Sequence, residues 1–458
     1  MFSPEEKNSI IHSMEVELTW LENVIAESVN YLSYINKAND DVINVPYNGA
    51  LCIPAEHKAK TPFSKLLNSQ SINQYERFAL IASLAPYIAP WIFNKLFSAS
   101  QSSDKIMNVL GGYIQRDSHT IFLPTAETII FLLAGNNIDK RHEVMLLLTP
   151  GAQLYKRNLV GITSMAEGHP WFKGIVYPTD ELLAIVKGHP YRPMQGSNFA
   201  AQRVETLLDW NDLVLPYDTT DALTELKIWL RYGKQLALHP EMGRKLKPGY
   251  RSLFYGPPGT GKTLTASLLG KENNLDVYRI DLSMVVSKWV GETEKNLKNI
   301  FDQAENKDWI LFFDEADALF SKRTQANSSN DRYANQEVSY LLQRIEDFQG
   351  LVILASNLKG NIDDAFTRRF QSVVYFPMPD TNTRHTLWQK SFPQDYKPES
   401  NVDLMNIAQN YEMAGGTIVN VVRYCVLMAM NANRHHVTEE DLEKGIFKEL
   451  RKEGKLPG

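Results

Sequence analysis

The chain has 458 residues, 43% of them hydrophobic and 22% charged, with a formal net charge of −5. That length exceeds one ordinary core and implies roughly two to four domains, and the composition excludes dominant disorder, low-complexity tracts and internal repeats. The acidic balance disfavours nucleic acid as the main partner, and Cys52 and Cys425 lack the spacing of a zinc site or a disulfide framework, which fits a reducing cytoplasm.

The N-terminus carries acids early and has no apolar run of the signal-peptide kind. The most apolar stretch, 78–93, is short and holds Pro86 and Pro90, so no membrane span is expected. Within 1–45, Ile11, Met14, Leu18, Leu21, Ile25, Ser28 and Leu32 recur in steps of three and four, which predicts an amphipathic helix with a heptad-like seam. A parallel self-pair would set Glu17 against Glu22 of its copy, so the seam is expected to pack on its own domain or on a basic partner helix. Residues 46–205 mix helical and short extended pieces broken by Pro and Gly and read as one α-rich module, winged-helix-like in type, with no catalytic constellation. Within it, 122–135 predicts a helix opened near Pro124 and Thr125 and closed by Gly135, and 174–188 a short strand, a turn at Pro178 and a helix from Asp180. A connection then leads to a helix over 221–236.

The chemistry begins at 252–270, an apolar strand, a glycine-rich loop and a helix starting at Lys262. The loop, Gly256-Pro257-Pro258-Gly259-Thr260-Gly261-Lys262-Thr263, satisfies the phosphate-binding pattern in its strand-loop-helix context. Its glycines let backbone N–H groups wrap phosphates, Lys262 reaches the β and γ oxygens, and the Thr263 hydroxyl binds Mg²⁺. Residues 310–313 form a run suited to a buried parallel strand, with Asp314 and Glu315 at its end. Asp314 is then expected to orient the Mg²⁺ shell and Glu315 to act as general base; the alternative is an acidic helix cap. A third strand ends in Asn357, suited to hold the attacking water or serving as a turn residue. Arg368 and Arg369 follow without an acid beside them in sequence, and read either as arginines delivered in trans to a γ-phosphate or as a surface pair.

Together with Lys288-Trp289-Val290-Gly291, these motifs resemble the AAA+ ATPases of the classical AAA clade, in particular its katanin- and spastin-like branch, over about 209–458. The resemblance implies an α/β fold: a P-loop αβα domain with a parallel sheet over 206–378 and a small helical lid over 379–458. It implies ATP and Mg²⁺, and a homo-oligomeric ring, usually a hexamer, with nucleotide between subunits. Lys288, Trp289 and Val290 become a central-pore loop gripping extended polypeptide, the alternative being local packing of Trp289. In the lid, Ile418, Val421, Val422, Cys425 and Met428 form a helical stripe, and a further helix opens at Thr438. Gly415 and Gly416 stand near the Gly-Ala-Asp signature of the clade, so no second sensor arginine is assigned and Arg423 is expected to face solvent or the lid surface. Asp212-Leu213-Val214 lies where the clade has an adenine-pocket segment but lacks its glycine.

The wider text, including 76–88 and 122–135, is similar to the AAA+ ATPases encoded with phage-tail-like extracellular contractile injection systems of bacteria. That resemblance implies a bacterial cytoplasmic enzyme that remodels, assembles or recycles particle components, with no membrane partner. An ATP-gated assembly scaffold without threading, and a nucleic-acid remodeller, are the competing readings.

Overall fold

The computed structural model describes residues 4–37, 47, 52–59, 61–70, 72–100, 109–116, 120–149, 152–165, 168, 170–189, 191–193, 199–247, 249–282, 292–305, 307–317, 339–357 and 367–454. They form two compact units, Met1–Arg192 and Pro193–Gly458.

The first unit runs α1 (Pro4–Lys37), α2 (Pro62–Leu67), α3 (Gln74–Ile88), α4 (Asn94–Ser100), β1 (Tyr113–Arg116), β2 (Thr120–Leu123), α5 (Ala126–Ala134), α6 (Ile138–Leu147), α7 (Gln153–Lys156), β3 (Val160–Ile162), β4 (Val176–Pro178) and α8 (Asp180–Lys187). The strands make two antiparallel ribbons, β1 with β2 and β3 with β4. Local chemistry sets the helix ends. Thr125 caps α5 in a reciprocal box with Thr128, and Gly135 closes the helix at φ +55°. The apolar run from Phe78 to Ala85 is buried within α3, which is bent by 110° against the following helical stretch. Among the described residues no single helix is long and apolar enough to cross a membrane.

The opening helix shares the core of this unit rather than standing apart from it. Leu21, Val24, Ile25 and Leu32 are buried there, whereas Ile11 of the predicted seam is exposed. Glu17, expected on the flank, is fully buried. Its carboxylate accepts hydrogen bonds from Arg77 Nε at 3.0 Å and from Arg77 Nη2, and lies 2.7 Å from His57 Nε2. The seam therefore turns inward because a long-range arginine neutralises the acid. Removing one member of such a buried pair costs about 3–5 kcal/mol, because the other charge stays behind without a partner. Arg77→Ala is thus expected to lower the unfolding free energy of the full chain by an amount of that order, seen as a lower urea midpoint, and an unchanged midpoint would remove the pair's structural role.

The second unit continues with β5 (Gln202–Val204), α9 (Tyr217–Leu238), β6 (Tyr250–Tyr255), α10 (Lys262–Asn273), β7 (Asp276–Asp281), α11 (Glu292–Ala304), β8 (Trp309–Asp314), β9 (Leu351–Ser356) and β10 (Ser372–Tyr375). The sheet order is β10-β6-β9-β8-β7-β5, parallel except for β5, which runs antiparallel to β7. Residues 202–204, read from sequence as the end of the preceding module, are therefore the edge strand of this sheet. Strands β6 and β9 are buried along their whole length, which a parallel sheet covered on both faces requires. Leu297, Ile300, Phe301 and Ala304, which recur at helical spacing, form the buried face of α11. Chain order reverses at β6, which lies between β10 and β9, so the loops after β6, β8 and β9 open at a topological switch point.

A smaller set of elements completes the unit: α12 (Thr381–Ser391), β11 (Lys397–Pro398), α13 (Leu404–Asn410), α14 (Gly415–Asn431), β12 (His436–Val437) and α15 (Glu439–Lys452). They have their own core, in which Ile418, Val421, Val422 and Cys425 of α14 are buried as the stripe predicted, with Ala429 rather than Met428 completing it. Thr438 caps α15 in a box with Asp441, and Arg423 is exposed.

Candidate functional site

The loop between β6 and α10 is held at its start by both neighbouring strands. Gly256 N–H donates to Ser356 O at 3.1 Å, and Phe376 N–H donates to Tyr255 O at 2.8 Å. Gly256 has φ +145°, and a Cβ there would lie 2.0 Å from Phe376 O, so only glycine lets the chain leave the strand in this direction. The Thr260 hydroxyl closes the turn on Pro257 O at 2.8 Å, and Pro258 and Gly259 are exposed at the rim. Gly261 is the N-cap of α10 and brings no capping side chain. The first-turn N–H groups of the helix, which lack intrahelical acceptors, are thereby left to an external anion. Lys262 is buried, and burial pulls its ammonium below the usual lysine range, while Asp314 and Asp317 push the other way. The ammonium donates to Gly256 O at 2.6 Å, Pro257 O at 2.9 Å and Asn357 Oδ1 at 3.1 Å. Thr263 Oγ1 makes no hydrogen bond among the described residues.

The parallel register brings the acids to the same level. Tyr255 of β6 pairs with Ser356 of β9, and Phe313 of β8 with Leu354 of β9, so Asp314, Glu315 and Asn357 all leave the sheet beside the loop. Asp314 Oδ1 accepts from Glu315 N–H at 3.0 Å, and its Oδ2 accepts from Arg279 Nε of β7 at 2.9 Å, with Arg279 Nη2 also at 2.9 Å. Glu315 is exposed and sits at φ +54°, a left-handed backbone that a non-glycine residue adopts at a cost of about 1–3 kcal/mol. Asp317 ties the two strand ends together. It accepts from Ser356 Oγ and from Asn357 N–H, the latter at 3.1 Å to Oδ2, while Ala316 N–H donates to Ala355 O at 2.9 Å. Asn357 is thus clamped by Asp317 at its backbone and by Lys262 at its side chain.

The two adjacent arginines differ. Arg369 Nη1 donates to Glu346 Oε1 at 2.7 Å, and Glu346 also holds Lys247 at 2.8 Å. The Lys247 hydrogen bond, with the positive charges of Arg369 and Arg251, holds that carboxyl below the usual range. The acid missing beside the pair in sequence therefore comes from the stretch over 339–347. Arg368 is exposed, with no ion-pair partner among the described residues. In the lid, Gly416 N–H donates to Gly259 O at 3.0 Å, and the Ala414 methyl would lie 3.2 Å from a Cβ on Gly259, so backbone meets backbone there. Leu213, from the segment without its glycine, would lie 3.0 Å from a Cβ on Gly261 and so lines the loop with an aliphatic side chain. That segment is strapped across α10 by Lys271, which donates to Leu208 O at 2.9 Å, and by Trp210 Nε1, which donates to Glu272 at 2.9 Å. The segment Lys288, Trp289 and Val290 lies outside the described residues.

The profile of the ATPase family associated with various cellular activities (AAA) matches residues 252–378, which span the loop, both acids, Asn357 and the arginine pair. An AAA family ATPase of Sinorhizobium fredii, itself uncharacterized, is 30% identical over 256 residues, 55% of this chain and 74% of that protein. The chain belongs to the AAA family of ATPases. The proteasome-activating nucleotidase of Methanococcus vannielii is 32% identical over 220 residues, and mouse vacuolar protein sorting-associated protein 4B is 32% identical over 188 residues. The match spans 54% and 42% of those two relatives, and 46% and 40% of this AAA ATPase.

An enzyme that hydrolyses ATP needs a cradle for polyphosphate, and the uncapped α10 terminus with its positive-φ glycines fits one. The Thr263 hydroxyl and the Asp314 carboxylate are hard oxygen donors of the kind Mg²⁺ takes. Arg279 and Asp317 were not singled out by motif reasoning. The one cation of β7, Arg279, near the end of a strand paired with the acid-bearing strand, and the last acid of the Asp-Glu-Ala-Asp run, were the signals available. Asp317→Ala should release Asn357 from its anchor. Because misplacement by about 1 Å can cost 10²-fold in rate, ATP turnover is expected to fall by roughly that factor with KM little changed. Steady-state kinetics on the folded variant would check this, and a rise in KM at constant kcat would instead mark Asp317 as part of the binding surface.

Proposed function

We propose that this chain is a Mg²⁺-dependent ATPase that works as a homo-oligomeric ring, a hexamer, and uses ATP hydrolysis to remodel protein substrates in the bacterial cytoplasm. The observation that carries the reading is the convergence of Lys262, Asp314, Glu315 and Asn357 at one end of three adjacent strands, with an exposed cation, Arg368, that has no ion-pair partner among the described residues.

Lys262 exchanges the carbonyls of Gly256 and Pro257 for the β and γ oxygens, so its buried charge is satisfied before and after nucleotide binds. Thr263 and Asp314 would hold Mg²⁺, which would supply neutralisation of the polyphosphate charge. Asn357 orients a water in line with the bond to be broken, and Glu315, turned outward by its left-handed backbone, takes the proton as that water attacks the γ-phosphorus. The bond from γ-phosphorus to the bridging oxygen breaks, its electron pair leaves with ADP, and inorganic phosphate forms. Arg369 is engaged by Glu346 in its own subunit, so Arg368 is the residue assigned to reach the γ-phosphate of a neighbour. The Gly259–Gly416 contact, joined by Gly415, carries the state of the loop to the lid.

Polypeptide as the substrate class is supported by the proteasome-activating name of one relative and by Trp289 in the Lys-Trp-Val-Gly segment, which would line the ring's pore. The narrower assignment, components of a phage-tail-like contractile particle, rests on the sequence resemblance of the whole chain.

Three experiments test the reading. Glu315→Gln should lose ATP turnover by about 10²- to 10⁴-fold while retaining bound ATP, since a general base contributes that range; rapid turnover by the variant would remove Glu315 from the chemistry. Arg368→Ala and Lys262→Ala should each be inactive alone, yet a mixture of the two should recover turnover at interfaces that pair an intact loop with an intact arginine. A dead mixture would mean that Arg368 does not act in trans. In pull-downs with the Glu315→Gln variant, loss of captured proteins on adding Trp289→Ala would mark threading, and retention would favour an assembly scaffold.

A further inference from the structure

The carboxylate assigned to the metal shell already has a cation on it. Arg279 stands opposite Phe312 in the β7–β8 register, two residues before the Asp281–Asp314 pair and on the same face of the sheet. Its guanidinium reaches along that diagonal and places both Nε and Nη2 at 2.9 Å from Asp314 Oδ2. Asp314 Oδ1 is taken by Glu315 N–H at 3.0 Å, so both oxygens are engaged. Glu315 is turned to solvent, and Asp317 is committed to Ser356 and Asn357, so these two acids do not take the guanidinium. Val277, on the same face of β7, belongs to the apolar core, so Arg279 is the point at which that face changes from packing to charge, next to the nucleotide loop.

The geometry points to Arg279 as a placeholder for the divalent cation. In the nucleotide-free protein it neutralises Asp314 and opposes metal binding, and it leaves when ATP brings the negative charge that makes Mg²⁺ at that position favourable. A guanidinium suits the role because it cannot shed its proton, so it is displaced only by a stronger field and not by a change of pH. Its side chain is 37% exposed, against 17% for Asp314, which leaves it an outward path when the carboxylate turns to the cation. The arrangement makes metal and nucleotide binding mutually dependent: the metal finds an open carboxylate only when phosphate oxygens complete its shell. This inference deepens the nucleotide-site reading above and rests on it.

The test compares folded wild type, Arg279→Gln and Arg279→Lys by two binding measurements that need no turnover. Mn²⁺ affinity without nucleotide is read by electron paramagnetic resonance, and binding of a fluorescent methylanthraniloyl ATP is followed as Mg²⁺ is raised. Removing a half-exposed ion pair of this kind is expected to tighten Mn²⁺ binding in Arg279→Gln by about fivefold and to lower the Mg²⁺ needed for full analogue binding by a similar factor. Arg279→Lys keeps the charge but loses the fork, so it should shift both in the same direction by less; it carries the comparison alone if Arg279→Gln does not fold. Metal responses identical to wild type in the folded variants, or weaker Mn²⁺ binding, would overturn the role of Arg279 and leave the nucleotide site standing. Failure of wild type to bind the ATP analogue at any Mg²⁺ concentration would overturn the nucleotide site itself.

Discussion

A buried ammonium sets the form of the nucleotide loop. Lys262 begins a helix packed against a sheet whose central strands are buried along their length, and a charge in that position must be met by fixed oxygens. Gly256 O, Pro257 O and Asn357 Oδ1 supply them, which obliges the loop to fold back over its own lysine and obliges β9 to end in a side-chain carbonyl. Asp317 then fixes where β9 ends, and Asp314 and Asp317 keep the field around the ammonium negative. The glycines follow from the same demand, because carbonyls directed inward require backbone angles that other residues rarely take.

Much of this was legible in the sequence because it is local. The loop and the strand before it, the acid pair after the buried run, the cap of α5 at Thr125 and the buried stripe of α14 depend on residues within a few turns of each other. What could not be read is the set of pairings that the tertiary fold creates. Arg77 meets Glu17 across 60 positions, Asn357 meets Asp317 across 40, Arg279 meets Asp314 across 35, and Arg369 meets Glu346 across 23. Each is an ion pair or hydrogen bond whose partner is chosen by strand order or helix packing, and a local pattern has no access to either. The heptad-like seam of α1 shows the consequence most clearly: the spacing was sound, but the acid that seemed to belong outside had an arginine waiting inside.

The strand order explains why the site is compact although its residues span more than a hundred positions of chain. With β6 between β10 and β9, and β8 next to β9, consecutive crossovers return to the same end of the sheet, so every functional loop starts from a strand terminus fixed by its neighbours. The lid reaches this end where Gly416 N–H meets Gly259 O beside the Ala414 methyl, and the aliphatic Leu213 approaches from the strapped connection. The first unit, with its separate core, lies outside the stretch matched by the AAA profile.

Under the general-base role proposed for Glu315, its left-handed backbone sets stability and chemistry in opposition at a single residue. At φ +54° glycine or asparagine would sit with less strain, and a fold selected for stability alone would drift toward one of them. Retaining a glutamate there keeps the sheet's C-terminal edge below its attainable stability by roughly 1–3 kcal/mol. Stabilised variants of this chain are therefore expected to accumulate at this turn at the expense of turnover, and a screen for thermal tolerance alone would select against the enzyme.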